Sequence, residues 1–398
     1  MTPSSLPVVR LKPKANARAI RHGAPWVYDN EVVTDRRTRK IAPGMICLLE
    51  DADRTPLALV GINPGSKIFA RVLERDLTAQ IDRTWLLSKL QAALALREKL
   101  YDTPFYRLIH AEGDSLPGVV IDRFGAYAVV QPNAAWAEVL LPDLVDALQE
   151  VTGVTHVLKN ASGRARVLEG LDQDSGVLAG QAPAAPVEVA MNGAVYLADL
   201  VEGQKTGIFY DQRPNHAFAA GVARGARVLD VFSHVGGFGL AALAAGAESV
   251  LAVDGSAPAL ALASEGAARM GQSDRFATRQ GDAFETLTAL ADEDAQFDLV
   301  ICDPPAFAPN KQALEAGLRA YERIARLSAR LVADGGILCL CSCSHAADLA
   351  RFRGASVRGI GRAGGQGALI HTGFAGPDHP QHPQLAETAY LKALFFRL

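Results

Sequence analysis

Four aspartates in this chain fall where a ligand could use them. Asp230 lies in VLDVFSHVGGFGLAALAAG, Asp254 in SVLAVDGS, Asp282 in GDAFETL and Asp303 in ICDPPAFAPNK, each at or just past the end of a strand-like run. After Asp230, Phe232 and Ser233 lead through Gly236, Gly237 and Gly239 into an apolar helical stretch. Glycines there let the backbone approach a ligand closely, and a helix N-terminus offers unpaired N–H groups. Gly237-x-Gly239-x-x-Ala242 fits a dinucleotide fingerprint, so hydride transfer is one reading. The register speaks against it. In a dinucleotide site the first glycine follows the strand at once, to seat a pyrophosphate, whereas Ser233–Gly236 intervene here. Asp230 would repel a pyrophosphate but suits the cationic sulfonium and ammonium of S-adenosylmethionine, which makes methyl transfer the favoured reading.

The other acids extend the same site. Asp254, followed by Ser256, can accept both ribose hydroxyls, and Asp282, followed by Ala283, can meet an adenine amino group. Either acid alone reads as a helix cap. Three acids at three successive strand ends do not. At the fourth end, Pro304 and Pro305 each fix φ and remove a donor, so Asp303 sits on a stiff loop able to hold a planar base by its edge. Thiols come next: Cys339, Cys341 and Cys343 occupy alternate positions and share one face of a strand. Buried packing is the ordinary fate of Cys339 and Cys341. Cys343, between Ser342 and Ser344, comes last, where the strand opens into a cleft.

The elements that position these residues show in the pattern. From Val195 on, RVLDVF, SVLAVD, FDLVICD and GILCLCSC alternate with Ala-rich helical stretches. Strands alternating with helices predict βαβ units and a parallel sheet. Residues 1–75 read instead as short strands (VVRLKP, MICLLED, PLALVGINP, IFARVLE) punctuated by Pro and Gly, a small β-rich barrel-like domain. Residues 76–190 open with an amphipathic helix over Asp76–Tyr101. Strands RLIHAEG, GVVIDRFG and YAVVQP follow, then a helix over Ala134–Val151, and strands around Thr155–Asn160 and Val187–Leu197. This is a β-β-α-β-β middle domain. The third domain runs over 191–398.

Composition sets the frame. Apolar residues are 49% and charged residues 21% of 398, ordinary for a folded chain of two or three domains. No apolar run nears the ~18 residues of a membrane span, and MTPSSLPVVRLKPK has no apolar leader core. Five cysteines without a CxxC pair suggest neither disulfides nor zinc, which points to the cytoplasm. The net charge of −3 hides an asymmetry: residues 1–75 carry 13 Lys+Arg against 7 Asp+Glu. Lys12, Lys14, Arg36, Arg37, Arg39 and Lys40 thus form a basic module on an acidic body. That is a footprint for phosphates, or else a solvated turn. His379 and His382 stand near Asp378 in a Pro-rich loop, where a turn with satisfied imidazoles is expected and no metal.

Five stretches together, GQKTGIFYDQR (203–213), VLDVFSHVGGFG (228–239), DPPAFAPNK (303–311), CSCS (341–344) and DHPQHPQLAETAYLK (378–392), resemble the 23S ribosomal RNA cytosine-C5 methyltransferase family. AEGDSLPGVVIDRFG (111–125) resembles that family's middle domain, so the likeness covers nearly the whole chain. It implies a PUA-like RNA-binding domain, the β-β-α-β-β domain and a Rossmann-like class I domain using S-adenosylmethionine. The implied partner is RNA, either 23S rRNA or a large-subunit assembly intermediate. Whether the chain dimerises is left open. The family's catalytic cysteine falls on Cys343. The resemblance lays Lys205, Thr206, Phe209, Asp211 and Arg213 over the cofactor, although a bridge between domains would also use such residues. Lys311 joins the expected RNA contacts. One departure stands out: some RNA cytosine-C5 enzymes place a second cysteine directly after the proline of the fourth-strand motif. Here Cys302 precedes Asp303 and is expected to point into the sheet, leaving Asp303 or a water to remove a proton. Two other readings compete. A ribosomal guanine-N methyltransferase would share the cofactor domain but need no thiol, and a non-catalytic RNA-binding assembly factor would need no turnover.

Overall fold

The computed structural model describes residues 6–203 and 207–398. The chain divides into two compact units, Met1–Ala184 with Pro377–Ala386, and Ala185–Gly376 with Glu387–Leu398.

The first unit holds two five-stranded sheets. In one, Val8–Arg10 pairs in parallel with Ile46–Glu50. Antiparallel pairing then runs through Pro56–Ile62 and Ile68–Glu74 to Trp26–Tyr28, a three-residue strand the sequence pattern did not announce. Val9, Val27, Leu49, Val60 and Phe69 form its core. The second sheet contains Phe105–His110, Val119–Phe124 and Tyr127–Pro132 as an antiparallel meander. A helical crossover then leads to the parallel strand His156–Lys159. The fifth strand is Gly176–Ala179, not the Val187–Leu197 region expected above. It is short and half-exposed at the sheet edge, so no alternation marks it. The Val187–Leu197 region forms a separate hairpin, Val187–Met191 with Ala194–Ala198, in the second unit. The Asp76–Tyr101 helix starts later, at Arg83, where the Asp82 side chain accepts from Trp85 N at 3.0 Å. The helix expected over 134–151 is broken at Leu140, ahead of Pro142.

The second unit carries the parallel-sheet pattern. Its strands are β1 (Arg227–Val231), β2 (Ser249–Asp254), β3 (Phe276–Gln280), β4 (Phe297–Cys302), β5 (Val332–Ser342), β6 (Ala368–Gly373) and β7 (Lys392–Arg397). The helices between them are α1 (Gly237–Ala244), α2 (Ala257–Arg269), α3 (Ala283–Asp292), α4 (Leu314–Ala329) and α5 (Leu349–Arg362). The sheet order is β3-β2-β1-β4-β5-β7-β6. β1 to β5 are parallel as expected, but β7 runs antiparallel between β5 and β6, so the sheet is mixed. Leu229, Val231, Val300, Leu340 and Leu394 fill its centre. Strand order reverses between β1 and β4, which makes their C-terminal ends the switch point where ligands bind in such sheets.

Candidate active site

The loop after β1 is held from below. Asp230 is fully buried; its Oδ2 accepts Gly239 N at 2.8 Å, and its Oδ1 has no hydrogen-bond partner among the described residues. Burial pushes this carboxyl up to about 7, and the nearby charge of Asp254 adds to the rise. Phe232 and His234 both take left-handed backbone, φ 62° and 49°, on either side of Ser233. Such conformations cost non-glycine residues on the order of 1–3 kcal/mol each and gather at ligand sites. Ser233 is buried with its hydroxyl unpartnered. Its carbonyl accepts Gly236 N at 2.8 Å, turning the chain into α1.

The glycines also answer a packing need. A Cβ on Gly236 would lie 2.9 Å from Leu240, on Gly237 2.8 Å from His216, and on Gly239 2.9 Å from Val250. The protein's own packing excludes side chains there. His216 is buried under this loop, its ring edge-on to Phe238 at 4.4 Å, and burial holds it down to about 3, hence neutral. Tyr196 donates to Gly237 O at 3.1 Å from the hairpin.

Around this loop stand the other acids. Asp254 closes β2, where Oδ2 accepts His234 N at 2.9 Å and Oδ1 accepts Ser256 N at 2.8 Å. It ties the two loops together, and each oxygen retains a lone pair for a ligand hydroxyl. Ser256 caps α2 through Ala259 N at 3.3 Å. Asp282 caps α3, its Oδ1 accepting Phe284 N and Glu285 N at 2.9 and 3.1 Å; Ala283 beside it is buried. Capping and ligand binding need not compete, because the caps use Oδ1 alone. Asp303 follows β4, with its Oδ2 accepting Gln212 Nε2 at 2.9 Å. Gln212 Oε1 in turn accepts Asn215 Nδ2 at 2.6 Å. Phe307 of the same loop packs 6.4 Å from Phe232, 6.1 Å from Phe284 and 5.0 Å from Tyr321, joining three strand ends through one ring.

Cys343 is the first residue past β5 and the only cysteine not fully buried. Its Sγ lies 4.0 Å from Pro304 O, so β5 delivers the thiol to the Asp303-Pro304-Pro305 loop. The flanking serines explain the CSCS pattern. Ser342 Oγ donates to Tyr321 OH at 2.9 Å. Ser344 Oγ lies 2.8 Å from the same hydroxyl and accepts Ala308 N at 2.9 Å. Cys339 and Cys341 are buried with their sulfurs 3.7 Å apart. Cys302 is buried too, and desolvation pushes all three thiols up, away from reactivity. The next helix, α5, begins at Leu349, its first turn capped by Asp348, which accepts Arg351 N at 2.8 Å.

Other expected residues are placed as follows. Phe209 packs 5.1 Å from His234, Asp211 Oδ2 accepts Tyr390 OH at 2.6 Å, and Arg213 is buried with its guanidinium 5.6 Å from the Tyr210 ring. Lys205 and Thr206 lie outside the described residues. Lys12, Lys14, Arg36, Arg37, Arg39, Lys40 and Lys311 are all exposed; Lys12 Nζ donates to Asn30 O at 2.9 Å. His379 stays within the first unit beside Asp378, 3.0 Å away, and His382 Nδ1 accepts Gln384 N at 3.2 Å. Gln212 and Lys392 lie within the 203–213 and 378–392 stretches without a role assigned to either from sequence, and no local motif marks Tyr321.

The strand ends suit S-adenosylmethionine. Among the described residues the buried Asp230 Oδ1 and Ser233 hydroxyl lack partners, the backbone around Ser233 is strained, and Asp254 and Asp282 carry carboxylates past the ends of β2 and β3. With the β3-β2-β1-β4-β5-β7-β6 order, this defines a class I S-adenosylmethionine-dependent methyltransferase. A family model described as S-adenosylmethionine-dependent methyltransferase matches residues 141–397, and a PUA-like domain model matches 9–75. A ribosomal RNA large subunit methyltransferase of Deinococcus radiodurans is 35% identical, over 99% of this chain and 98% of its own length. Ribosomal RNA large subunit methyltransferase I of Alteromonas mediterranea is also 35% identical, over 95% of each. Among solved structures, a chain described as a methyltransferase complexed with SAH aligns with TM-score 0.83 at 19% identity, covering 99% of this chain and 100% of its own. The chain belongs to the ribosomal RNA large subunit methyltransferase family.

Proposed function

We propose that the chain methylates C5 of a cytidine in large-subunit ribosomal RNA, in the cytoplasm, with Cys343 as nucleophile. One observation carries this reading: the single partly exposed thiol of five sits where β5 opens onto the Asp303 loop. S-adenosylmethionine supplies an electrophilic methyl group on a cationic sulfonium. C5 of cytosine is too weak a nucleophile to take it unaided. Addition of the Cys343 thiolate at C6 shifts the ring electrons onto C5. Once C5 carries the methyl group, a base removes its proton, the C5–C6 double bond re-forms and Cys343 leaves as thiolate. Asp303, held by Gln212, or a water beside it is that base.

In this reading Asp230, Phe232, Ser233, Gly236, Gly237, Asp254, Ser256, Asp282, Ala283, Phe209, Asp211 and Arg213 shape the cofactor site. The basic residues of segment 1–75, with Lys311, meet RNA phosphates; the middle domain expected over 76–190 ends at Ala184, and the Val187–Met191 strand goes with the catalytic domain. The test is Cys343→Ala, expected to abolish methyl transfer while cofactor affinity stays near wild type. RNA with 5-fluorocytidine at the target lacks the removable C5 proton, so it should be trapped as a denaturation-resistant adduct that C343A does not form. Full activity in C343A would sink the nucleophile and leave methylation of a base that needs no thiol, such as guanine. Replacing Arg36, Arg37, Arg39 and Lys40 by alanine should weaken RNA binding and flatten its salt dependence, because each lost phosphate contact releases fewer counterions. An unchanged slope would make that turn a solvated surface only.

A further inference from the structure

β7 brings one unusual side chain into the sheet. Its first residue, Lys392, pairs in register with Ser342 at the end of β5. The side chain is only 3% exposed, yet Lys392 forms no ion pair among the described residues. Its Nζ donates to two backbone carbonyls, Ser344 O at 2.7 Å and Tyr390 O at 2.8 Å. Burying an ammonium on neutral acceptors costs free energy that a methionine of similar volume would not. Packing alone therefore does not explain a lysine here. Burial pulls its ammonium down to about 8; two groups act in the opposite direction, Cys343 first and then Asp348 at the start of α5. The Tyr390 hydroxyl, the other polar group on this stretch, is engaged by Asp211.

We propose that Lys392 is the charge partner and positioning residue of the Cys343 thiolate, an inference that rests on Cys343 being the nucleophile. The ammonium grips the carbonyl of Ser344 next to the cysteine, while Tyr321 holds the hydroxyls of both flanking serines, Ser342 and Ser344. A fixed cation beside a thiol favours its ionised form. The thiol proton departs to water and Lys392 keeps its own. When the product leaves, the sulfur returns as thiolate to the same ammonium, so no proton passes through the lysine. Above about pH 8 the lysine loses its charge and the support is withdrawn.

The experiment is alkylation of the full-length protein with iodoacetamide across a pH series, the modified cysteine located by peptide mass. C343A supplies the blank, since the other four cysteines are buried. Lys392→Met and Lys392→Gln should each raise the alkylation midpoint of Cys343 by about one pH unit, slowing the reaction at pH 7 roughly tenfold. Lys392→Arg should stay near wild type. Trapping of 5-fluorocytidine RNA should slow in parallel and recover at alkaline pH. A midpoint unchanged in either neutral variant, with thermal melting showing that variant folded, overturns the proposal. Turnover by C343A would instead overturn the nucleophile reading, whatever the alkylation midpoints show.

Discussion

Buried charge is handled in opposite ways in the two units. In the first, every strongly buried cation meets an anion. Arg97 is fully buried against Asp114 at 2.6 Å, Arg107 holds the buried Asp122 at 2.8 Å, Arg71 meets Glu169 at 3.0 Å, and Arg166 contacts both Glu138 and Asp172. In the second unit, ion pairs such as Arg269–Glu188 lie on the surface, with both side chains 53% exposed. Among the described residues, the buried Asp230 and Lys392 have no opposite charge in contact. Desolvating an ion without a partner costs several kcal/mol. A fold tolerates that where a ligand or a reacting group completes the charge, and perturbed titrating groups accordingly gather at functional sites. Paired burial in one unit therefore serves structure, and unpaired burial at the ends of β1 and β5 serves chemistry.

The contrast can be broken by removing charge from each side. Arg97→Met leaves Asp114 buried without its partner and should cost the first unit about 3–5 kcal/mol. Denaturant unfolding read by hydrogen exchange at strands 105–110 and 119–124 checks this, and a loss below 1 kcal/mol would mean the pair is idle. Asp230→Asn should behave the other way, because the amide oxygen can still accept Gly239 N without carrying a charge. Between the ordinary carboxyl value of 3.8 and about 7, the folded state holds a proton that the unfolded chain releases. Raising the pH through that window therefore destabilises the wild type on account of this group. The stability of D230N relative to wild type should rise from pH 4 to pH 7, and a flat difference would show that Asp230 is not kept neutral by burial.

Cofactor affinity gives a smaller effect. Asp254→Ala should weaken S-adenosylmethionine by about 1–3 kcal/mol, the scale of a lost charge-assisted hydrogen bond. Calorimetry showing unchanged affinity in the folded variant would remove Asp254 from the site. Smallest of all, Arg269→Ala on the surface pair should leave thermal melting close to wild type, and closer still at high salt. A larger loss in thermal melting would blur the line between surface and buried pairs.

Much of the second unit was legible in the sequence because parallel βαβ units write themselves locally. RVLDVF, SVLAVD, FDLVICD and GILCLCSC all appear as strands, and Asp254 and Asp303 fall at or just past strand ends as expected. The end of β5 was legible too, since Cys343 comes last on the face it shares with the buried Cys339 and Cys341. What escaped depended on partners far away in the chain. The edge strand Gly176–Ala179 has too little burial to carry a pattern, and the antiparallel insertion of β7 is fixed by pairing with β5 rather than by its own residues. The glycines after β1 read as openings for a ligand, and the sequence does not show that Leu240, His216 and Val250 also exclude a Cβ there.

The sequence by itself determined which residue types stand at each strand end, because hydrophobic period and turn chemistry are local properties. It determined four acids, a stiff Asp-Pro-Pro loop and a terminal thiol before any contact was known. The tertiary structure alone decided which of these groups are buried, which are paired and what lies beside them. Tyr321 bonds to both serines flanking Cys343, Gln212 holds Asp303, and Lys392 reaches the Ser344 carbonyl from 48 residues along the chain. Desolvation and charge pairing depend on distance in space, and no run of neighbouring residues records that distance.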